Sequence, residues 1–271
     1  MTMPGEMIAA AIQMVSGDEL DANLACAAQW VARAAAAGAE LVVLPEYFYL
    51  MPADEGARVE LACAPGEGPI HRALAQMAAR HRVWLVGGTL PLLSPQPGRM
   101  YNASLLFDPD GRCRARYDKM HLFGFDDGNE RYDEAATMMP GDAVAGAATP
   151  WGELRLSVCY DLRFPELYRQ PPAPALISAP AAFTHTTGLA HWELLLRARA
   201  VDNLAFVIGA GQGGRHAGGK RTFGHSMIVD PWGQVLACVE EGEGMALARL
   251  DLDQQAQWRR RLPALQHRRL A

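Results

Sequence analysis

The sequence predicts a layered α/β domain, and three observations predict it. Short apolar runs alternate with longer segments of helical period: Met7 to Val15, Leu20 to Ala37 and Leu41 to Leu44 read as strand, helix and strand. The turn Asp-Pro-x-Gly occurs once in each half, at Asp108-Pro109-Asp110-Gly111 and Asp230-Pro231-Trp232-Gly233, each time between strand-like segments. Finally, the run Leu154-Arg155-Leu156-Ser157-Val158 leads straight into Cys159 and a proline-marked turn, so a buried strand ends in a thiol. The chain has 271 residues, 50% of them hydrophobic and 20% charged, which supplies apolar surface for a sizeable core. We read 1–271 as a single domain.

Taken in order, the helix over Leu20 to Ala37 has Asp18 or Asp21 near its start, alanines throughout and Gly38 as its stop. Pro65 to Pro69 marks a loop, and His71 to Arg82 a short helix that feeds the strand Val83 to Val86, broken by Gly87 and Gly88. Tyr101 to Phe107 and Arg112 to Tyr117 form the first hairpin; Ser226 to Val229 and Gln234 to Val239 form the second. Two such hairpins suggest a pseudo-symmetric domain, with a period too long for a solenoid. Gly124 to Pro150 is polar and weakly periodic and reads as a long loop over a site. After the Pro171-Pro172 break come the strand Leu176 to Ala179, the helix Gly188 to Asn203 and the strand Leu204 to Gly209. Gly211 to Gly219 is glycine-rich but lacks the order of a phosphate cradle. Met245 to Leu252 is a strand, and Gln254 to Arg261 a polar terminal helix.

The formal net charge of -5 gives no reason to expect nucleic acid or an anionic membrane as a partner. The basic stretches Arg259-Arg260-Arg261 and His267-Arg268-Arg269 fit a solvated helix face or a subunit contact formed by the tail 254–271. The five cysteines, at 26, 63, 113, 159 and 238, are odd in number and contain no CxxC pair, against both a zinc ribbon and a disulfide scaffold. Met1 to Met14 lacks the pattern of a secretory leader and no apolar run reaches membrane-spanning length, so a cytoplasmic location is expected.

Three strand ends carry groups with chemistry: Glu46 after Leu41 to Pro45, Lys119 after the first hairpin, and Cys159 at a strand-to-helix elbow. By itself Cys159 reads equally well as a buried structural cysteine. Together, Leu44-Pro45-Glu46, Asp118-Lys119-Met120-His121-Leu122-Phe123 and Cys159-Tyr160-Asp161-Leu162-Arg163-Phe164-Pro165-Glu166 resemble the three signature blocks of the nitrilase superfamily of carbon–nitrogen hydrolases. The resemblance spans nearly the whole chain. It implies a four-layer αββα sandwich, and a homodimer or higher homo-oligomer with helices near the nucleophile and the C-terminal tail at the contact. It also implies a small-molecule amide as substrate and chemistry that requires neither a metal nor an organic cofactor.

Amide hydrolysis at neutral pH needs a strong nucleophile, an acid for the leaving amine and stabilisation of the tetrahedral oxyanion. Cys159 is the candidate nucleophile and Glu46 its base. Lys119, charged beside carboxylates, would stabilise the oxyanion together with the backbone N–H of Tyr160. A thioester on Cys159 would form with release of ammonia or an amine. The family's second glutamate fits Glu134, which precedes Met139-Pro140-Gly141-Asp142, with Glu130 as the alternative. The neighbouring Gly124 to Tyr132 departs from the family pattern. Arg163 could clamp a substrate carboxylate, or pair with Glu166 or Asp161 and merely fix the elbow. Phe183 and Thr184 resemble residues lining the pocket opposite the cysteine, and Phe183 reads equally as core.

Within the superfamily the C-terminal half, including Gly188-Leu189-Ala190-His191-Trp192-Glu193 and Leu262-Pro263-Ala264-Leu265-Gln266-His267-Arg268-Arg269, is similar to the branch of deaminated glutathione amidases. An ω-amidase of α-keto-ω-amido acids is the nearest alternative, and a nitrilase the next. Three readings lie outside the superfamily. A cysteine protease would pair Cys159 with His121, His185, His191 or His225; a metal site would use His185 and His191; a binding protein would keep the fold without the chemistry.

Overall fold

The computed structural model describes residues 5–126, 128 and 131–269. Among them the apolar runs assemble into two mixed sheets. One has seven strands, in the order Gly244–Asp251, Glu6–Gln13, Leu41–Val43, Trp84–Val86, Met100–Phe107 and Leu90–Leu93, with Cys113–Asp118 also paired to Met100–Phe107. The other has six, in the order Val235–Val239, Ser226–Val229, Phe206–Gly211, Leu176–Ala181, Gly152–Leu156 and Gly146–Thr149. Each is parallel at its centre and antiparallel toward its edges.

Strand periodicity of two explains the layers. Ala9, Ala11, Leu41 and Val43 share a core with Leu154, Leu156 and Ala179 of the second sheet. Their neighbours Ala10, Ile12, Val42 and Leu44 pack instead against Ala27, Val31 and Ala34 of the helix Leu20–Ala36 and against Ile70 and Leu74 of the helix Gly68–His81. The far side of the second sheet is covered by the helix His185–Asn203 through Trp192, Leu196 and Ala200. Gly209 permits this close approach, because a Cβ there would lie 2.8 Å from Leu196 Cδ1. The result is the expected order of helix, sheet, sheet and helix.

The two Asp-Pro-x-Gly turns are built alike, one in each sheet. In the first, Asp108 Oδ1 accepts the N–H groups of Asp110 and Arg112, while Asp108 N–H bonds Arg112 O. In the second, Asp230 Oδ1 accepts from Trp232 and Gln234, and Asp230 N–H bonds Gln234 O. The aspartate thereby satisfies two otherwise unpaired donors of each turn, which is why this residue opens both.

Several boundaries differ from expectation. The second helix begins at Gly68, with Pro69 in its first turn, where a missing N–H costs nothing. The helix expected from Gly188 starts at His185, because Thr184 Oγ1 caps Thr187 N–H at 3.2 Å. The segment 124–150 is not one loop: it holds the hairpin Gly124–Asp126 with Arg131–Asp133, a 3-10 turn Glu134–Ala136 and the edge strand Gly146–Thr149. The glycine-rich segment folds back as Gly213–Arg215 paired with Arg221–Phe223. The strand Leu90–Leu93 and the short helix Gly56–Glu60 had no clear periodic signal. The terminal helix Leu252–Arg261 docks on its own chain, where Gln255 and Arg259 donate to the carbonyls of Ala175, Leu204 and Pro174. No described helix is long and apolar enough to cross a membrane.

Candidate active site

Glu46 sits where a central strand of the first sheet runs out. The loop beyond Pro45 closes tightly, since a Cβ at Gly88 would lie 2.1 Å from Pro45 O, and Gly88 has φ +55°. Gln212 Nε2 donates to the Glu46 carbonyl at 3.1 Å, tying the first sheet to the second at this point. The carboxylate is 1% exposed. Its Oε1 accepts from Lys119 Nζ at 3.0 Å and Asn102 Nδ2 at 2.9 Å, and its Oε2 from Ala182 N–H at 2.9 Å.

Lys119 follows the strand Cys113–Asp118 and is fully buried. Its N–H bonds Asn102 O, and its carbonyl accepts from Gly141 N–H at 2.9 Å. A Cβ on Gly141 would lie 2.2 Å from Asp118 O, so the Pro-Gly-Asp element needs its glycine for steric reasons. Besides Glu46, Lys119 Nζ contacts Glu134 at 2.8 and 2.7 Å from the two carboxylate oxygens. Glu134 is held in turn by Tyr47 OH at 2.8 Å and Phe123 N–H at 2.7 Å. The structure therefore brings Glu134 to the lysine; Glu130 lies outside the described residues.

Cys159 opens a 3-10 turn, Cys159–Arg163, with φ +51°, a left-handed conformation that non-glycine residues rarely adopt. Asp161 holds it there. Fully buried, it accepts from Val158 N–H and Tyr117 OH, both at 2.8 Å, and from His121 N–H at 3.2 Å, with His121 Nδ1 at 2.7 Å. The strained elbow places the thiol at the cavity that Glu46 also lines, near enough for the Glu46 charge to raise the proton affinity of the sulfur. Pro165 opens the following helix Pro165–Tyr168, as its fixed φ favours. Tyr160 occupies the second position of the 3-10 turn, where backbone N–H groups lack an acceptor within the turn.

Electrostatics follow from burial. Desolvation pushes the Glu46 carboxyl above the usual carboxylate range; Lys119 opposes this and Glu134 adds to it. Desolvation, then the charge of Glu46, pushes the Cys159 thiol well up, with Lys119 opposing, so the thiol is neutral at neutral pH. Burial works against the charge of Lys119, but Glu134 and Glu46 outweigh it and keep the ammonium protonated. A neutral thiol facing a buried carboxylate is an arrangement for base-assisted attack rather than for a preformed thiolate.

Arg163 makes no ion pair with Glu166 or Asp161 among the described residues, because Asp161 is committed to the elbow. Its Nη1 lies 3.2 Å from His191 Nδ1, and its guanidinium lies 5.6 Å from the centres of both the Tyr160 and Phe183 rings. With Phe183 and Thr184 it lines a narrow recess of about 20 Å³ beside Cys159. Phe183 is also core, packed edge-on against Trp192, so both readings of it hold. A larger cavity of about 330 Å³ opens on Cys159, Glu46 and Glu134 and extends to Glu55, Lys220 and Arg221.

No histidine lines either space. His121 is spent on Asp161, His191 on Arg163, and His225 on the Phe223 carbonyl at 2.9 Å; His185 packs against the Phe223 ring. The thiol–histidine pair of a cysteine protease is therefore not formed. Among the described residues no three His, Cys, Asp or Glu side chains converge as a metal site.

Four residues that position the site were not singled out for it from sequence: Tyr47, Asn102, Asp161 and Gln212. Asn102 carried one signal, an amide inside the apolar strand Met100–Phe107, which has to find a buried partner. Asp161 carried another, a carboxylate between Tyr160 and Leu162, two residues past Cys159.

A family model for carbon–nitrogen hydrolases matches residues 8–260. The deaminated glutathione amidase of Synechocystis sp. is 41% identical over 268 residues, 96% of this chain and 97% of that protein. The deaminated glutathione amidase of Yersinia enterocolitica is 39% identical over 265 residues, 96% and 92% of the two chains. Among solved structures, Saccharomyces cerevisiae Nit3, a member of branch 10 of the nitrilase superfamily, superposes with a TM-score of 0.87 at 32% identity, over 99% of this chain and 98% of that one.

Proposed function

The chain belongs to the carbon–nitrogen hydrolase family, and from that premise we propose that it hydrolyses a small carboxylate-bearing amide, deaminated glutathione, through a thioester on Cys159. The observation that carries this reading is the meeting of Glu46, Glu134 and Cys159 at one cavity, with Lys119 buried behind it and bonded to both carboxylates. Glu46 takes the thiol proton as sulfur attacks the amide carbonyl. Lys119 Nζ and Tyr160 N–H stabilise the oxyanion. Protonated Glu46 then gives its proton to the departing nitrogen, and the C–N bond breaks. Water enters, loses a proton to Glu46 and attacks the thioester; collapse expels the Cys159 thiolate, which recovers that proton. Glu134 holds Lys119 where the oxyanion forms.

Deaminated glutathione joins a 2-oxoglutaryl group to cysteinylglycine, so the leaving group is an amine and the assay follows 2-oxoglutarate rather than ammonia. The relatives described above bear the name of this activity. A second reading, an ω-amidase of short α-keto-ω-amido acids, shares the acyl-carboxylate contact with Arg163 and is favoured by the small volume of the recess beside the thiol, about 20 Å³. Turnover of deaminated glutathione and 2-oxoglutaramate is compared at matched concentrations, with Cys159→Ala protein as blank. Efficient hydrolysis of deaminated glutathione supports the first reading; turnover of 2-oxoglutaramate alone selects the second.

Arg163→Ala is expected to raise KM for either substrate by about tenfold through loss of a charge-assisted contact to the acyl carboxylate. An unchanged KM would return Arg163 to a structural role. The acid limb of kcat/KM is expected above about pH 4.3, the ordinary carboxylate value. Burial raises the proton affinity of Glu46, and only its ionised form can take the thiol proton, so activity is lost as pH falls through that raised value. A pH profile flat down to pH 4 would contradict this.

A further inference from the structure

The larger cavity has a charge gradient along it. At its buried end Glu46 and Glu134 outnumber Lys119, which disfavours a second carboxylate there. Elsewhere the lining carries Lys220 and Arg221 against Glu55, with Arg58 buried over the Tyr47 ring, while Arg131 and Asp133 add one charge of each sign. Glu55 is shared by Arg58 and Lys220, so Lys220 has donors to spare. Arg221, 40% exposed, has only a loose contact with Glu241, 3.6 Å away and itself 78% exposed; such a pair is easily exchanged for a ligand carboxylate.

The backbone that carries the two cations is tied down. His216 N–H bonds the Lys220 carbonyl at 2.8 Å, and His216 Nε2 lies 2.7 Å from Thr222 Oγ1. Thr222 forms an antiparallel bridge to Thr184, which lines the recess beside Cys159. A Cβ on Gly214 would lie 2.9 Å from Val15 Cγ1, so the glycine-rich turn can pack this closely only without a side chain there. The turn's backbone thus fixes where two cationic side chains enter the lining of the cavity that holds the thiol.

We propose that Lys220 and Arg221 bind a second carboxylate, carried on the amine half of the substrate, and so select a peptide-like leaving group over a primary amide. This rests on the deaminated-glutathione reading, whose leaving amine ends in a glycine carboxylate. Lys220→Gln and Arg221→Ala, singly and together, are assayed on deaminated glutathione, its C-terminal carboxamide and 2-oxoglutaramate. In the double variant, kcat/KM for deaminated glutathione relative to 2-oxoglutaramate should fall about tenfold or more, through KM. Wild-type protein should show a comparable loss on the carboxamide, and the double variant should barely distinguish acid from carboxamide. An unchanged ratio overturns the proposal while the amidase reading stands. If wild-type protein fails to turn over deaminated glutathione, calorimetric binding to Cys159→Ala protein with and without Arg221→Ala decides: Arg221-dependent binding keeps this site and removes the assigned activity, and no binding sinks both. Should the double variant unfold, the wild-type comparison of acid with carboxamide is decisive.

Discussion

Glu46→Gln is expected to lower kcat on deaminated glutathione by on the order of 10³-fold, within the range for loss of a positioned general base. The substitution removes the carboxylate whose charge acts most strongly on the thiol, and among the described residues no histidine lines either space to replace it. It also sets donor against donor. Glu46 accepts from Lys119, Asn102 and Ala182, and the glutamine NH₂ has to confront at least one of these N–H groups. Removing the charge further leaves the Cys159 thiol, neutral in the wild type, without a proton acceptor. Kinetics with Cys159→Ala as the zero point, and thermal unfolding as the control for folding, make the measurement. Activity above a tenth of wild type would mean that another group takes the proton, and the mechanism given above would be wrong.

Asp161→Ala is expected to cost on the order of 3 kcal/mol of stability and about 100-fold in kcat. Asp161 touches no substrate; it acts through the elbow. Alanine leaves Val158 N–H, Tyr117 OH and His121 N–H without their acceptor in a fully buried site, each a desolvation penalty of about 1–3 kcal/mol before relaxation. It also releases the strain held at Cys159, whose φ of +51° persists only because its surroundings impose it. Once the elbow relaxes the sulfur no longer faces Glu46, and small displacements of reacting groups are expensive. Urea unfolding and steady-state kinetics test the two halves separately. Asp161→Asn should fall between, since an amide oxygen can still accept from Val158 N–H. If alanine cost less than about 1 kcal/mol and kcat held, the elbow would be set elsewhere.

How much of this was legible beforehand depended on whether the signal was local. The strand ends bearing Glu46, Lys119 and Cys159 were visible because apolar runs, prolines and turn residues act within a few positions of themselves. The twin aspartate-opened turns were visible for the same reason, since each aspartate bonds to its own next few N–H groups. Glu134 was chosen over Glu130 on the neighbouring Pro-Gly-Asp element, and in the fold that element is anchored on the lysine's own backbone. The strand Leu90–Leu93 escaped because four residues carry too little periodicity, and its place is set by pairing with Met100–Phe107. The ion pair that local spacing suggests for Arg163 does not form, because Asp161, two residues away, bonds to Tyr117 in the strand Cys113–Asp118 and to His121 just beyond it.

By itself, then, the sequence determined the layered architecture and most of its long elements, which rest on short-range pattern, and its resemblance to a known family pointed to Glu46, Lys119 and Cys159 as the residues to look for. Only the tertiary structure decided which face of each strand meets which layer, and that Asn102, Tyr47 and Asp161 hold the reacting groups. It alone brought the turn carrying Lys220 and Arg221 to the cavity of Cys159. Apart from the bond of Asp161 to Val158, three positions away, these contacts join residues tens to more than a hundred positions apart, and their energies come from burial and from hydrogen bonds that exist only once the two sheets have closed on each other.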